Sequence, residues 1–194
     1  KDPETLIMLE NAKLANQNLR IKTIALTIPA SGSTPLDIPT SMLKAVAFAQ
    51  QQWNADPNHT WKLQVVIVDD RNNKLYAPKL TDNLLKREIL TGIGSYSSEV
   101  TSEVKDIYKQ QKTVLISSTS TSTDLSNNNA DNFFFRVCSN NKISGKEIAT
   151  YLKDRKYTKI ALFHTNGKKF SDSMTVALKG NIQGISIVDE SNFE

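Results

Sequence analysis

Short apolar, β-branched runs alternate with stretches of helical periodicity from Lys22 to Ile116, and this alternation most limits what the chain can fold into. The runs are Lys22–Ile28 (KTIALTI), Leu63–Val68 (LQVVIV), a short one closed by Ile93 and Gly94, and Thr113–Ile116. Between them, Met42, Ala45, Val46, Ala49 and Trp53 fall at steps of three and four and stop before Asp56 and Pro57. Tyr76, Leu80 and Leu84, with Pro78 early enough for a first turn, predict a second helix, and Val100, Val104, Ile107 and Tyr108 a third. Strands without polar alternation, separated by helices, imply a parallel sheet with right-handed crossovers: an α/β fold of three layers.

Hydroxyl side chains gather where these strands end. Ser117 to Thr123 (SSTSTST) follows the fourth run, and Ser95, Tyr96, Ser97 and Ser98 follow the third and lead into a helix. Ligands bind at the carboxyl edge of open α/β sheets, so the two loops predict one polar pocket. The loop Ser31–Pro35 lies at the same edge.

Composition narrows the function classes. The chain has 194 residues, 39% of them apolar, enough for a sizeable core in one large domain or two small ones. Its 24 basic and 20 acidic residues leave a formal charge of +4, with the lysines scattered, so no nucleic-acid partner is expected. Cys138 stands alone and His59 and His164 lie far apart, so neither a disulfide framework nor a metal site nor a cofactor is expected. No apolar run approaches the roughly 18 residues of a membrane span. A chain opening on Lys1 implies that a signal sequence or other segment is missing upstream.

Outside the alternating region, Asp2, Pro3 and Glu4 start a helix with Leu6, Leu9 and Leu14 on a partial apolar face, read as a docking extension over 1–21. Residues 22–138 form the main α/β unit. Asn127–Asn132 is a polar turn, and FFFRV from Phe133 is a further strand with Arg136 exposed or paired. A second unit over 139–194 has a helix with Ile148, Tyr151 and Leu152, a strand at Lys159–Phe163, a helix around Met174–Leu178 and a strand at Ile185–Val188. One such crossover covers a single side of a sheet, so further chain or a second copy in a homodimer is expected to cover the other.

Five segments together resemble the leucine/isoleucine/valine-binding family, the type I periplasmic binding proteins of ABC importers. They are VVIVDDRNNKLYAPKLTDNLL, IGSYSSEVTSEVKDIY, VLISSTSTSTDLS, FFFRVCSNN and ISGKEIATYLKDRKYTKIALFHTNGKKFSDSM, in the family's order and spacing. The resemblance implies two lobes joined by a hinge near Val137–Asn140, with most of the first lobe and the start of the second in this chain. It implies that a small zwitterion, an amino acid in the first place, is held by Ser98, counted from Gly94 in a Gly-x-x-x-Ser motif, and by Ser120 and Thr121 of the next loop. Phe170 takes the place of a cleft-facing aromatic of the second lobe. Ser97 and Tyr96 lie beside Ser98, Tyr96 as a wall for an apolar side chain. The chain departs from the pattern at Ile38 and Pro39, where relatives carry an aromatic-glycine pair. The resemblance further implies a periplasmic or extracellular location, with or without a membrane anchor, and a membrane permease as partner. The sensory module of a membrane receptor is the rival within the fold.

Plainer readings stand beside these. Ser98 can be a helix cap, and the Ser/Thr run can satisfy its own backbone. Asp69 and Asp70 are expected to bond the following turn rather than a metal, and Cys138 to be a small buried hydrophobe. Asn58-His59-Thr60 fits a glycosylation sequon. A serine hydrolase built on His164 lacks a G-x-S-x-G elbow, so the expectation is a binding protein and not an enzyme.

Overall fold

A computed structural model describes residues 2–15, 18–126 and 133–193; the predicted turn at 127–132 lies outside them. Five parallel strands form one sheet in the order β2-β1-β3-β4-β5. They are β1 (Ile21–Ile28), β2 (Lys62–Asp69), β3 (Ile89–Ile93), β4 (Val114–Ser117) and β5 (Phe134–Arg136). The connecting helices are α2 (Asp37–Ala55), α3 (Ala77–Leu85) and α4 (Ser98–Gln110), preceded by α1 (Pro3–Leu14). A second, two-stranded parallel sheet pairs β6 (Lys159–His164) with β7 (Ser186–Asn192), flanked by α5 (Asn141–Asp154) and α6 (Lys169–Lys179).

The first sheet is the middle of three layers, and β1 is buried on both faces from Ile24 to Ile28. Ile24, Leu26 and Ile28 pack with Ile7 of α1 and with Met42, Leu43, Val46 and Ala47 of α2. Across the sheet, Val100, Val104 and Tyr108 of α4 pack with Leu115, Leu125 and Phe134. Tyr108 reaches under the sheet at Gly92, where a Cβ would fall on its ring. Burial pushes its hydroxyl up to about 12.

Several apolar assignments shift by a position. In α2, Leu43 and Ala47 are buried while Ala45 and Ala49 face out, and in α1 the fully buried residue is Ile7 while Leu9 is half exposed. A helix has a broad inward face, and which neighbours fill it depends on the crossing of the partner element.

The predicted docking helix has a structural task. β2 is an edge strand, and edge backbone groups invite pairing with other chains. Asn11 of α1 donates to the Val65 carbonyl (2.7 Å) and accepts from the Val65 amide (3.1 Å). Asn54 of α2 does the same at Leu63, at 3.0 and 2.7 Å. Two side-chain amides thus occupy the outward backbone groups of the edge.

In the second unit, α5 and α6 cross closely because Gly145 lacks a Cβ; one would meet the Ala177 backbone at 2.7 Å. The other face of the β6-β7 sheet leaves Phe163 and Val188 more than half exposed.

Candidate functional site

Between the two units lies a cleft of about 780 Å³. Its first wall is the carboxyl edge of the five-stranded sheet, where β3 ends at Gly94. That glycine has φ +129°, and a Cβ there would collide with the Thr27 carbonyl. The turn delivers Tyr96, Ser97 and Ser98 to the cleft at the N-terminus of α4.

Ser97, not Ser98, caps that helix: its hydroxyl accepts from the Val100 amide at 3.3 Å and donates to Asn72 Oδ1 at 2.5 Å. Ser98 is the first helical residue and is buried; its hydroxyl accepts from the Ser122 amide at 3.1 Å, tying the two hydroxyl loops together. Among the described residues no acceptor meets its own proton.

Most of the hydroxyl run after β4 is spent on the fold. The Ser120 hydroxyl, fully buried, meets Thr101 Oγ1 at 2.7 Å and the Ser95 carbonyl at 3.2 Å. Ser117 Oγ accepts from the Thr119 and Ser120 amides, and Thr119 Oγ1 donates to the Tyr96 carbonyl at 2.8 Å. Arg136 fixes the loop from below, donating to the carbonyls of Ser120 (3.1 Å) and Ser122 (2.9 Å) and to Ser126 Oγ. Thr121 and Ser122 are different: both hydroxyls are buried with no hydrogen-bond partner among the described residues, and of the two residues only Thr121 lines the cleft. The Thr121 carbonyl is taken by the Asn141 amide at 2.8 Å.

The second wall comes from the loop after β6 and the start of α6, with Thr165, Gly167, Lys168, Phe170 and Ser171. Phe170 is half exposed into it. Its amide donates to Glu99 Oε1 across the cleft at 3.3 Å, and its carbonyl accepts from Asn141 Nδ2 at 3.0 Å. Nearby, the Thr123 amide donates to Ser173 Oγ at 2.9 Å and the two hydroxyls meet at 2.8 Å, joining the units.

Residues 22–194 match the periplasmic binding protein family. The chain belongs to that family. Helix α1 precedes the matched stretch. None of the curated proteins matches the sequence. Solved structures resemble this periplasmic binding protein chain at low identity. An ABC transporter substrate-binding protein from Desulfitobacterium hafniense, in complex with Leu, is 22% identical with a TM-score of 0.77 over 90% of this chain and 51% of its own. For a leucine binding protein from Thermotoga maritima the figures are 17%, 0.79, 89% and 49%. For a solute binding protein of Rhodopseudomonas palustris in complex with 3,4-dihydroxy benzoic acid they are 14%, 0.78, 89% and 47%. The chain therefore spans about half the length of these relatives, and the likeness establishes the type I periplasmic-binding-protein lobe as its fold.

Of the six residues singled out from sequence, Tyr96, Ser97, Ser98, Thr121 and Phe170 line the cleft. Ser120 does not: its hydroxyl and carbonyl are both engaged behind the loop. Ile38 and Pro39 sit in the first turn of α2, Pro39 buried and Ile38 against the first core cluster, away from the cleft. Cys138 is half-buried with its thiol 3.7 Å from the Ser120 carbonyl, rather than fully buried. His164 pairs with Glu190 of β7 at 2.9 Å, outside the lining.

The loop after β2 was missed. Asn72, Asn73, Lys74 and Leu75 all line the cleft. The signal was present, since this loop also leaves the carboxyl edge, and Arg71 and Asn72 at φ 56° and 48° make the sharp turn that points it there.

The two aspartates before it anchor this loop, as expected. Partial burial pushes the Asp69 carboxyl up, but bonds from Ser31, Arg71 and Ala30 outweigh it and hold the group below its ordinary value. At Asp70 burial wins: it raises the carboxyl against the pull of the Asn72 amide and Ser95, and Asp69 adds repulsion. An acid raised by folding holds its proton to higher pH in the folded state. Its stabilisation is complete below the ordinary carboxylate pKa and is lost as pH rises through the folded value. The stability difference between wild type and Asp70→Asn should therefore fall with pH just above the ordinary carboxylate range and be flat near neutrality. Denaturant midpoints of both proteins across that range test this; parallel profiles would refute it.

Proposed function

We propose that this chain is the ligand-binding part of an extracytoplasmic solute-binding protein serving an ABC importer, without enzymatic activity. It captures a small carboxylate, an amino acid in the first place, between two lobes, and a membrane permease reads the closed form. Family membership supports the class of protein. The observation that carries the site is the buried, unpartnered Thr121 hydroxyl beside Ser98 at the N-terminus of α4. The relatives above are described with Leu and with a dihydroxybenzoate, ligands that share a carboxylate.

The Ser98 hydroxyl and the first amides of α4 donate to that carboxylate, with the positive end of the helix behind them. Thr121 Oγ1 accepts from the ammonium, and Phe170 closes over the ligand from the second lobe. Binding shifts the balance toward closure by the contacts the open form lacks.

Thr121→Val separates this function from the fold. The substitution keeps the shape and removes a hydroxyl that bonds to nothing, so stability should hold or rise, because an unsatisfied buried polar group costs about 1–3 kcal/mol. Affinity for the ligand should fall about tenfold, roughly 1.4 kcal/mol. Calorimetric titration of both proteins with amino acids and small carboxylates checks it. Equal affinities with equal stability would remove Thr121 from the site.

A further inference from the structure

The charged side chains that line the cleft are two lysines and one glutamate. The two ammonium groups are those of Lys74 from the loop after β2 and Lys168 from the cap of α6. Among the described residues neither ammonium has an ion-pair or hydrogen-bond partner, a state they share with other surface lysines such as Lys44 and Lys105; what sets them apart is their place on the two walls of one cleft. Glu99, the acidic residue in the lining, is directed to the Phe170 amide. The N-termini of α4 and α6, helices of 13 and 11 residues, both add positive potential.

Both lysines stand on fixed backbone. Asn73 Oδ1 accepts from the amides of Leu75 and Tyr76 at 2.9 and 3.1 Å, and Asn72 is bonded to Ser97, so the base of Lys74 is held while its chain reaches freely. Behind Lys168, the Thr165 amide donates to Ser171 Oγ at 2.9 Å. Apolar side chains in the lining amount to Leu75, Tyr96 and Phe170, and Leu75 is 84% exposed.

We propose that the solute carries two carboxylates, one at Ser98 and the N-terminus of α4, the second between Lys74 and Lys168, with an acidic amino acid as the first choice. This rests on the cleft being the ligand site. Closure brings one lysine from each wall to the same acid group, so selectivity for a second charge and lobe closure become one event.

The test is titration calorimetry of the full-length protein with glutamate, aspartate, glutarate and leucine, alongside Lys74→Met and Lys168→Met. Neither lysine is bonded in the fold, so both variants should melt with the wild type. The acidic ligands should bind at least about tenfold tighter than leucine, and each substitution should cut that advantage about tenfold while leaving leucine unchanged. Glutarate binding as tightly as glutamate would support the two carboxylates without an ammonium requirement. Leucine binding as tightly as glutamate, or variants that bind glutamate like the wild type, would overturn the proposal and leave the solute-binding reading standing. No binding of any of the four would overturn both.

Discussion

Gly94→Ala is expected to destabilise the protein by about 3 kcal/mol or more, the largest effect of any single methyl group at the site. Two costs add. A residue with a Cβ is strained at φ +129°, by roughly 1–3 kcal/mol. The new methyl also collides with the Thr27 carbonyl in β1, the central partner of β2 and β3, and forced overpacking costs about 1–3 kcal/mol more. For a chain of this size the midpoint should drop by roughly 10 °C. Thermal melts measure it directly. The same glycine directs Tyr96, Ser97 and Ser98 into the cleft, so ligand affinity should fall with stability. A melting point within a degree or so of wild type would mean that the turn accommodates a side chain and that its backbone does not set the site.

Arg136→Met should cost about 3 kcal/mol and abolish ligand binding. The guanidinium holds the carbonyls of the fully buried Ser120 and Ser122, bracketing Thr121, and also reaches Ser126. Hydrogen bonds to a charged group are worth about 1.5–3 kcal/mol each, and the two carbonyls would keep only the longer contacts from the Cys138 thiol (3.7 Å) and the Leu125 amide (3.4 Å). Met retains the aliphatic volume, so the loss reports on the bonds rather than on packing. Denaturant unfolding gives the stability, and calorimetric titration the affinity. A variant that unfolds earlier yet binds as before would show that Thr121 is positioned by something other than this clamp. Arg136→Lys should recover only part of the loss, because one ammonium cannot span both carbonyls in the arginine's fork geometry.

How much was legible differs between fold and site. The alternation of strand and helix over 22–116 led to the parallel sheet, because buried parallel strands must be apolar on both faces and amphipathic helices must cover them. The order β2-β1-β3-β4-β5 and the edge-sealing by Asn11 and Asn54 were not legible, since no local pattern says which side chain will meet which edge. At the site, the hydroxyl-rich strand ends marked the place. They did not say which hydroxyls remain free. Ser120 and Thr121 are neighbours of similar chemistry, yet one is locked to Thr101 and Ser95 and the other is left without a partner.

The sequence by itself determined the fold class, the family and the edge of the sheet at which the cleft opens, because periodicity and the order of the motifs are properties of the chain alone. The tertiary structure decided the division of labour among the hydroxyls, the entry of Asn72 and Lys74 into the lining, and the pairing of His164 with Glu190. The contacts that decide them join segments distant in the sequence, such as Ser98 with Ser122 and His164 with Glu190, 24 and 26 residues apart. A hydrogen-bonding group carries no mark of its partner until the fold brings that partner within about 3 Å.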